Sequence, residues 1–183
     1  MTTLKTDNKG FPFSNLRDRF RSPEQRFFNA IRRGDLDMIK TFIETHDFDV
    51  EMDTSHVFPK GEEKKLGLLH YVVAACPKSS QPAILHYLLE KGANPNRSSF
   101  FQATPVHFAC ANDNIDSLAI LVNYGGELHK KAMAGTPFSM LSEGLRKEYE
   151  NKGDDYFISI FQKKEVTENT ADAPVIHRQP TRL

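Results

Sequence analysis

The sequence predicts an all-α solenoid of helix-turn-helix units with β-turn-like fingers, flanked by an irregular N-terminal arm and a flexible C-terminal tail. Three observations carry this reading. Apolar stretches at helical spacing come in pairs closed by glycine, and the closing glycines Gly92 and Gly125 stand 33 residues apart. The helix-start pair Thr104-Pro105 recurs as Thr136-Pro137, 32 residues on. Finally, 183 residues that are 39% hydrophobic and 26% charged can bury a substantial core without disulfide or metal staples.

Residues 1–21 show no period of 2 or 3.6 and predict an extended arm, in which Gly10-Phe11-Pro12-Phe13 precedes Arg17, Arg19 and Arg21. The repeat domain spans 22–164. Its first helix starts at Ser22-Pro23-Glu24-Gln25, which sets an N-cap hydroxyl, a proline at the first helical position and a glutamine three residues after the cap. Phe27 to Glu44 holds two helical segments around Gly34-Asp35. Between Glu51 and Leu66, Pro59, Gly61 and the charged run Glu62-Glu63-Lys64-Lys65 predict an enlarged finger. The second unit runs from His70 to Gly92, with Cys76 to Pro82 a proline-punctuated turn between its helices. That turn accommodates the surplus in the His70 to His107 interval, which is 37 residues. Phe28 takes the histidine's place in the first unit. In the third, Val106, Ala109 and Cys110 face Leu118, Leu121 and Val122 at helical spacing, with Gly125 closing the pair. Gly135-Thr136-Pro137 opens a degraded fourth unit, with Ser139 where a histidine stood, which predicts a C-terminal cap. After Gly153, Asp154 and Asp155 can cap a last helix whose Tyr156, Phe157, Ile160 and Phe161 form one stripe over the open end. Residues 165–183 hold few large apolar side chains and predict a disordered tail.

Gln102-Ala103-Thr104-Pro105-Val106-His107-Phe108-Ala109 resembles the Thr-Pro-Leu-His-x-Ala signature of the ankyrin repeat, with Val106 in place of leucine. Lys91-Gly92-Ala93-Asn94-Pro95-Asn96 resembles the family's repeat ending. The resemblance covers Gln25 to Leu141, about four repeats of which the central two match well. It implies a cupped hand, with turns between repeats as fingers, first helices as palm, and a protein partner in the concave groove. It also implies that His70 and His107 join the turns of adjacent units by hydrogen bonds. Projecting the repeat positions places Ser98, Ser99, Phe100, Phe101 and Gln102 on the finger before the third repeat, and Asn112 and Asp113 at the end of its first helix. Lys130, Lys131 and Met133 fall on the next finger. Arg32 and Arg33 take the palm positions of the first repeat, and Phe58, with His56 and Val57, lies in the enlarged finger. Phe100 and Phe101 stand out, because two consecutive aromatics in a turn do not easily both point into one thin core. In the second repeat Gly67-Leu68 replaces the Thr-Pro pair, which predicts a weaker helix start and a more mobile finger.

The charges balance at 24 Lys+Arg against 24 Asp+Glu, so no strongly electrostatic partner is implied. A basic series, Arg17, Arg19, Arg21, Arg26, Arg32 and Arg33, is the one candidate for nucleic acid, and in a neutral protein it reads as a solvated face. No apolar run approaches the roughly 20 residues of a membrane-spanning helix, which argues against membrane insertion. Two cysteines and no signal segment predict a cytoplasmic protein, with the nucleus the alternative; the sequon Asn96-Arg97-Ser98 is discounted on that basis. His70, Cys76, His107 and Cys110 are zinc's ligand types, yet the histidines share one repeat position and Cys110 stands for a small core residue, so no metal or cofactor is expected. Phosphate-loop, Gly-x-Ser-x-Gly and His-Glu-x-x-His motifs are absent, and no enzyme activity is expected. Thr181-Arg182-Leu183 resembles a PDZ-domain ligand, a hydroxyl residue two before a terminal leucine. The expectation is a non-enzymatic adaptor. The alternatives are a structural subunit of a large cytoskeletal or ciliary assembly and a regulatory subunit that occludes a partner enzyme.

Overall fold

The computed structural model describes residues 22–46, 48–56, 66–99, 101–153 and 155–168. The N-terminal arm, most of the enlarged finger including Phe58, the aromatic Phe100 and the PDZ-ligand-like tail lie outside the described residues. Within them the chain forms α1 (Pro23–Arg33), α2 (Leu36–His46), α3 (Leu68–Ala75), α4 (Gln81–Glu90), α5 (Pro105–Ala111), α6 (Ile115–Asn123), α7 (Pro137–Met140), α8 (Glu143–Lys152) and α9 (Asp155–Glu168). Extended pairing among the described residues is confined to the isolated bridges Asp53–Gly67 and Ala132–Gly135. The fold is all-α.

Caps written in the sequence start the helices. Ser22 Oγ accepts the Gln25 N–H and Gln25 Oε1 accepts the Ser22 N–H, both at 3.3 Å, a reciprocal box for amides that lack an intrahelical acceptor. Thr136 Oγ1 accepts the Ser139 N–H at 3.3 Å, and Asn114 Oδ1 accepts the Ser117 N–H at 3.2 Å. Gly92 and Gly125 follow α4 and α6 at φ 94° and 85°, left-handed values that favour glycine. The period of 33 is the spacing of these two turns.

Helices short enough to be marginal alone gain stability by stacking. α1, α3, α5 and α7 pack in succession as one row, and α4, α6 and α9 as a second, which α2 meets through Lys40, 5.6 Å over the Tyr87 ring of α4. Between the rows runs one core, from Phe27, Phe28 and Ile31 through Leu68, Val72, Ile84 and Leu88 to Val106, Leu118, Leu121 and Phe157. Each such side chain contributes about 1.5–3 kcal/mol on burial. Ala109, wholly buried in α5, keeps neighbouring helices close. α8 has no buried residue and carries the i,i+4 pairs Glu143–Lys147 and Glu148–Lys152 at 2.7 and 2.6 Å. The stripe on α9 is real, with Phe157 and Phe161 buried and Tyr156 and Ile160 half-buried. It runs along α6 and reaches back to α4, where Phe161 stacks on His86 at 6.1 Å.

Candidate protein-binding surface

Adjacent repeats are joined through their buried histidines. His70 Nε2 donates to the Ala103 carbonyl at 2.9 Å, 33 residues further on. His107 Nδ1 accepts the Thr104 N–H at 2.9 Å, which leaves the proton on Nε2 to donate to the Gly135 carbonyl at 3.3 Å. Burial pushes the His70 imidazole down to about 4, with the Arg97 cation adding to the shift, and lowers His107 in the same way. Both rings are therefore neutral near pH 7, as the structural role implied by the repeat resemblance requires.

A second set of bonds fixes the fingers. Arg97 Nη1 lies 3.1 Å from Glu51 Oε2 and Nη2 lies 3.9 Å from Asp53 Oδ2, while Glu51 Oε1 accepts the Asn94 N–H at 2.6 Å. This explains why glycine, and not threonine, precedes α3. A Cβ on Gly67 would stand 2.9 Å from Arg97 Cδ and 3.2 Å from His70 Nδ1, so a side chain there would push aside the arginine that ties the two fingers. Asn96 makes the corresponding clasp one unit on, donating from Nδ2 to the Gly125 carbonyl at 2.7 Å and accepting the Glu127 N–H on Oδ1 at 2.9 Å. Its amide, the acceptor atom of the sequon, is thus engaged in the stack.

On this frame the fingertips before the third and fourth units carry the exposed large apolar residues found among the described residues, Phe101 (48% exposed) and Met133 (75%). They are brought together, since the Met133 N–H donates to the Phe101 carbonyl at 3.4 Å. Each sits on a tight turn. The Ser99 N–H donates to the Ala103 carbonyl at 2.8 Å and the Ala132 N–H to the Gly135 carbonyl at 2.8 Å, with Gln102 at φ 61°. Gln102 and Lys131 are exposed beside them. Lys130 is turned inward instead, its Nζ donating to the Asn96 carbonyl at 2.8 Å.

Asn112 and Asp113 are exposed but follow α5, whereas Phe101 precedes it; seven helical residues, about 10 Å, separate the two groups. The Asp113 carboxylate accepts the Ser142 N–H at 3.2 Å, anchoring the start of α8. Arg32 and Arg33 are exposed in the last turn of α1. Not singled out by the sequence reading, Ala74 and Ala111 are exposed at corresponding places of α3 and α5; their 37-residue spacing, the same as that of His70 and His107, was the signal.

The two thiols are free and buried, and burial raises Cys76 to about 11 and Cys110 to about 12, so neither supplies thiolate near neutral pH. Among the described residues no three His, Cys, Asp or Glu side chains are grouped to hold a metal, and no helix is long and apolar enough to cross a membrane.

The match to known proteins agrees with this geometry. The model of a family described as ankyrin repeats (3 copies) matches residues 27–132, more than half of the chain, and the chain belongs to the ankyrin repeat family. Over 59 residues it is 39% identical to the ankyrin repeat and LEM domain-containing protein 1 homolog of Caenorhabditis elegans; that stretch is 32% of this chain and 8% of the worm protein. Ankyrin repeats are protein–protein interaction modules, and this chain presents three matched copies of them.

Proposed function

We propose that the chain is a non-enzymatic adaptor that holds a protein partner in the groove between its fingers and its first-helix row, in the cytoplasm or the nucleus. The observation that carries this reading is the pairing of Phe101 and Met133 on adjacent fingertips, both exposed and joined through their backbones. Large apolar side chains on rigid turns make efficient binding anchors, because little conformational freedom is lost when a partner covers them. The exposed Ala74 and Ala111 extend the surface along the palm towards Arg32 and Arg33. Two free thiols held in the core are consistent with a reducing compartment.

Proximity labelling in the native cell identifies the partner, and calorimetric titration then compares wild type with a Phe101→Ala/Met133→Ala variant. Truncating an anchor costs about 1–2 kcal/mol or more, so the double variant binds at least about 10-fold more weakly at unchanged thermal stability. Unchanged affinity in the folded double variant would refute the fingertip assignment.

A further inference from the structure

We infer that Ser22 is a phosphoacceptor for a proline-directed serine/threonine kinase, and that its phosphate replaces the hydroxyl as the cap of α1. Three caps in this chain are a hydroxyl residue followed by proline, namely Ser22-Pro23, Thr104-Pro105 and Thr136-Pro137, and the structure tells them apart. Thr104 is wholly buried, with its backbone N–H and its hydroxyl both at His107 Nδ1. Thr136 is half-buried and caps a helix of four residues between packed units. Ser22 alone of the three is exposed, and its backbone is extended at φ −62° and ψ 157°, as it is at the other two caps. A kinase takes its substrate serine in extended form, and a following proline offers no N–H that the kinase must satisfy.

The reaction transfers the γ-phosphoryl group of Mg-ATP to Ser22 Oγ. The Oγ–P bond forms, the bond to ADP breaks, and the hydroxyl proton passes to the kinase's base. Serine Oγ already accepts the Gln25 N–H at 3.3 Å. A dianion at the same place accepts that N–H as a charge-assisted bond and faces the positive end of the 11-residue α1 dipole. Arg26 stands one turn further along the helix. The modification therefore tightens the unit that carries Arg32 and Arg33.

The test treats the full chain with a proline-directed kinase and Mg-ATP, maps phosphate by mass spectrometry, and measures thermal unfolding and amide exchange. Phosphate is expected on Ser22 and not on Thr104 or Thr136. It is abolished by Ser22→Asn, which preserves the cap, and strongly reduced by Pro23→Ala. The phosphorylated chain is expected to melt about 2–4 °C higher, with slower exchange in residues 23–33. The inference is overturned if the folded chain takes no phosphate at Ser22, if Thr104 or Thr136 is modified in its place, or if the Ser22-phosphorylated chain melts lower than the unmodified one.

Discussion

Replacing Gln81 by leucine tests the account of how the repeats are joined. Gln81 opens α4, is 3% exposed, and has its amide fully engaged. Its Nε2 donates to the Val73 and Cys76 carbonyls at 3.2 and 2.7 Å. Its Oε1 accepts from Asn114 Nδ2 at 2.6 Å and Ser117 Oγ at 2.9 Å. The Val73 carbonyl would ordinarily accept the N–H four residues on, but that residue is Pro77, which has none. The side chain therefore completes the end of α3 and welds α4 to α6. Gln81→Leu keeps the volume and deletes four bonds. The Ser117 hydroxyl can rotate to another acceptor, and Asn114, 9% exposed, retains an edge to water. The two carbonyls are stranded outright. At about 1–3 kcal/mol for each buried polar group left unmatched, the loss comes to about 3–5 kcal/mol, large beside the roughly 5–15 kcal/mol that holds a domain together. Urea unfolding followed by circular dichroism measures it, on Gln81→Leu, Asn114→Ala and the double variant. Residues of one network couple, so the double variant costs less than the two singles together by about 1 kcal/mol or more. A Gln81→Leu protein within about 1 kcal/mol of wild type, or a strictly additive double variant, would sink the reasoning.

Two further outcomes follow from the same frame. Since folded His70 titrates at about 4 and the unfolded side chain at 6.5, the unfolded chain alone binds that proton between these values. Stability is therefore steady above about pH 7 and falls as pH drops through the window, by about 3 kcal/mol in all from this residue. The lowered His107 adds to the same fall, and urea midpoints from pH 7 to pH 4 that do not decline would contradict the burial argument. Phe157, 0% exposed and 5.8 Å from the Tyr149 ring of α8, is the core residue of α9, the helix that packs along α6; Phe157→Ala costs about 3–5 kcal/mol and speeds amide exchange in α9 before α3 or α4, and a loss below about 1 kcal/mol, or uniform exchange, argues against its anchoring role.

The repeats themselves were legible because their determinants are local. Ser22-Pro23-Glu24-Gln25 and Thr104-Pro105 specify helix starts within four residues, and the glycine turns at Gly92 and Gly125 betray the period. α8 was not legible, because only Leu145 and Tyr149 of its ten residues pack on the core and the rest is charged and polar, too thin a stripe for periodicity to find. Gln81 escaped notice for another reason. A glutamine at a helix start is unremarkable until folding sets it against Asn114, 33 residues away. On the candidate surface, Phe101 and Met133 were identifiable as large apolar residues in turns. That Lys130 would be spent on the Asn96 carbonyl depends on the approach of two fingers, which spacing does not encode.

Two of the bonds that join repeats link positions 33 residues apart, His70 to Ala103 and Gln81 to Asn114. Others tie finger to finger, as Arg97 to Glu51 and Lys130 to Asn96 do. In a quasi-one-dimensional fold stability is close to a sum of unit and interface terms, so residues that enter no interface term can change at little cost to the fold. The Met133 N–H and the Phe101 carbonyl contribute a backbone bond between their turns, and Phe101 is 48% and Met133 75% exposed. On the reading proposed above, the exposed area of these two residues is what a partner covers.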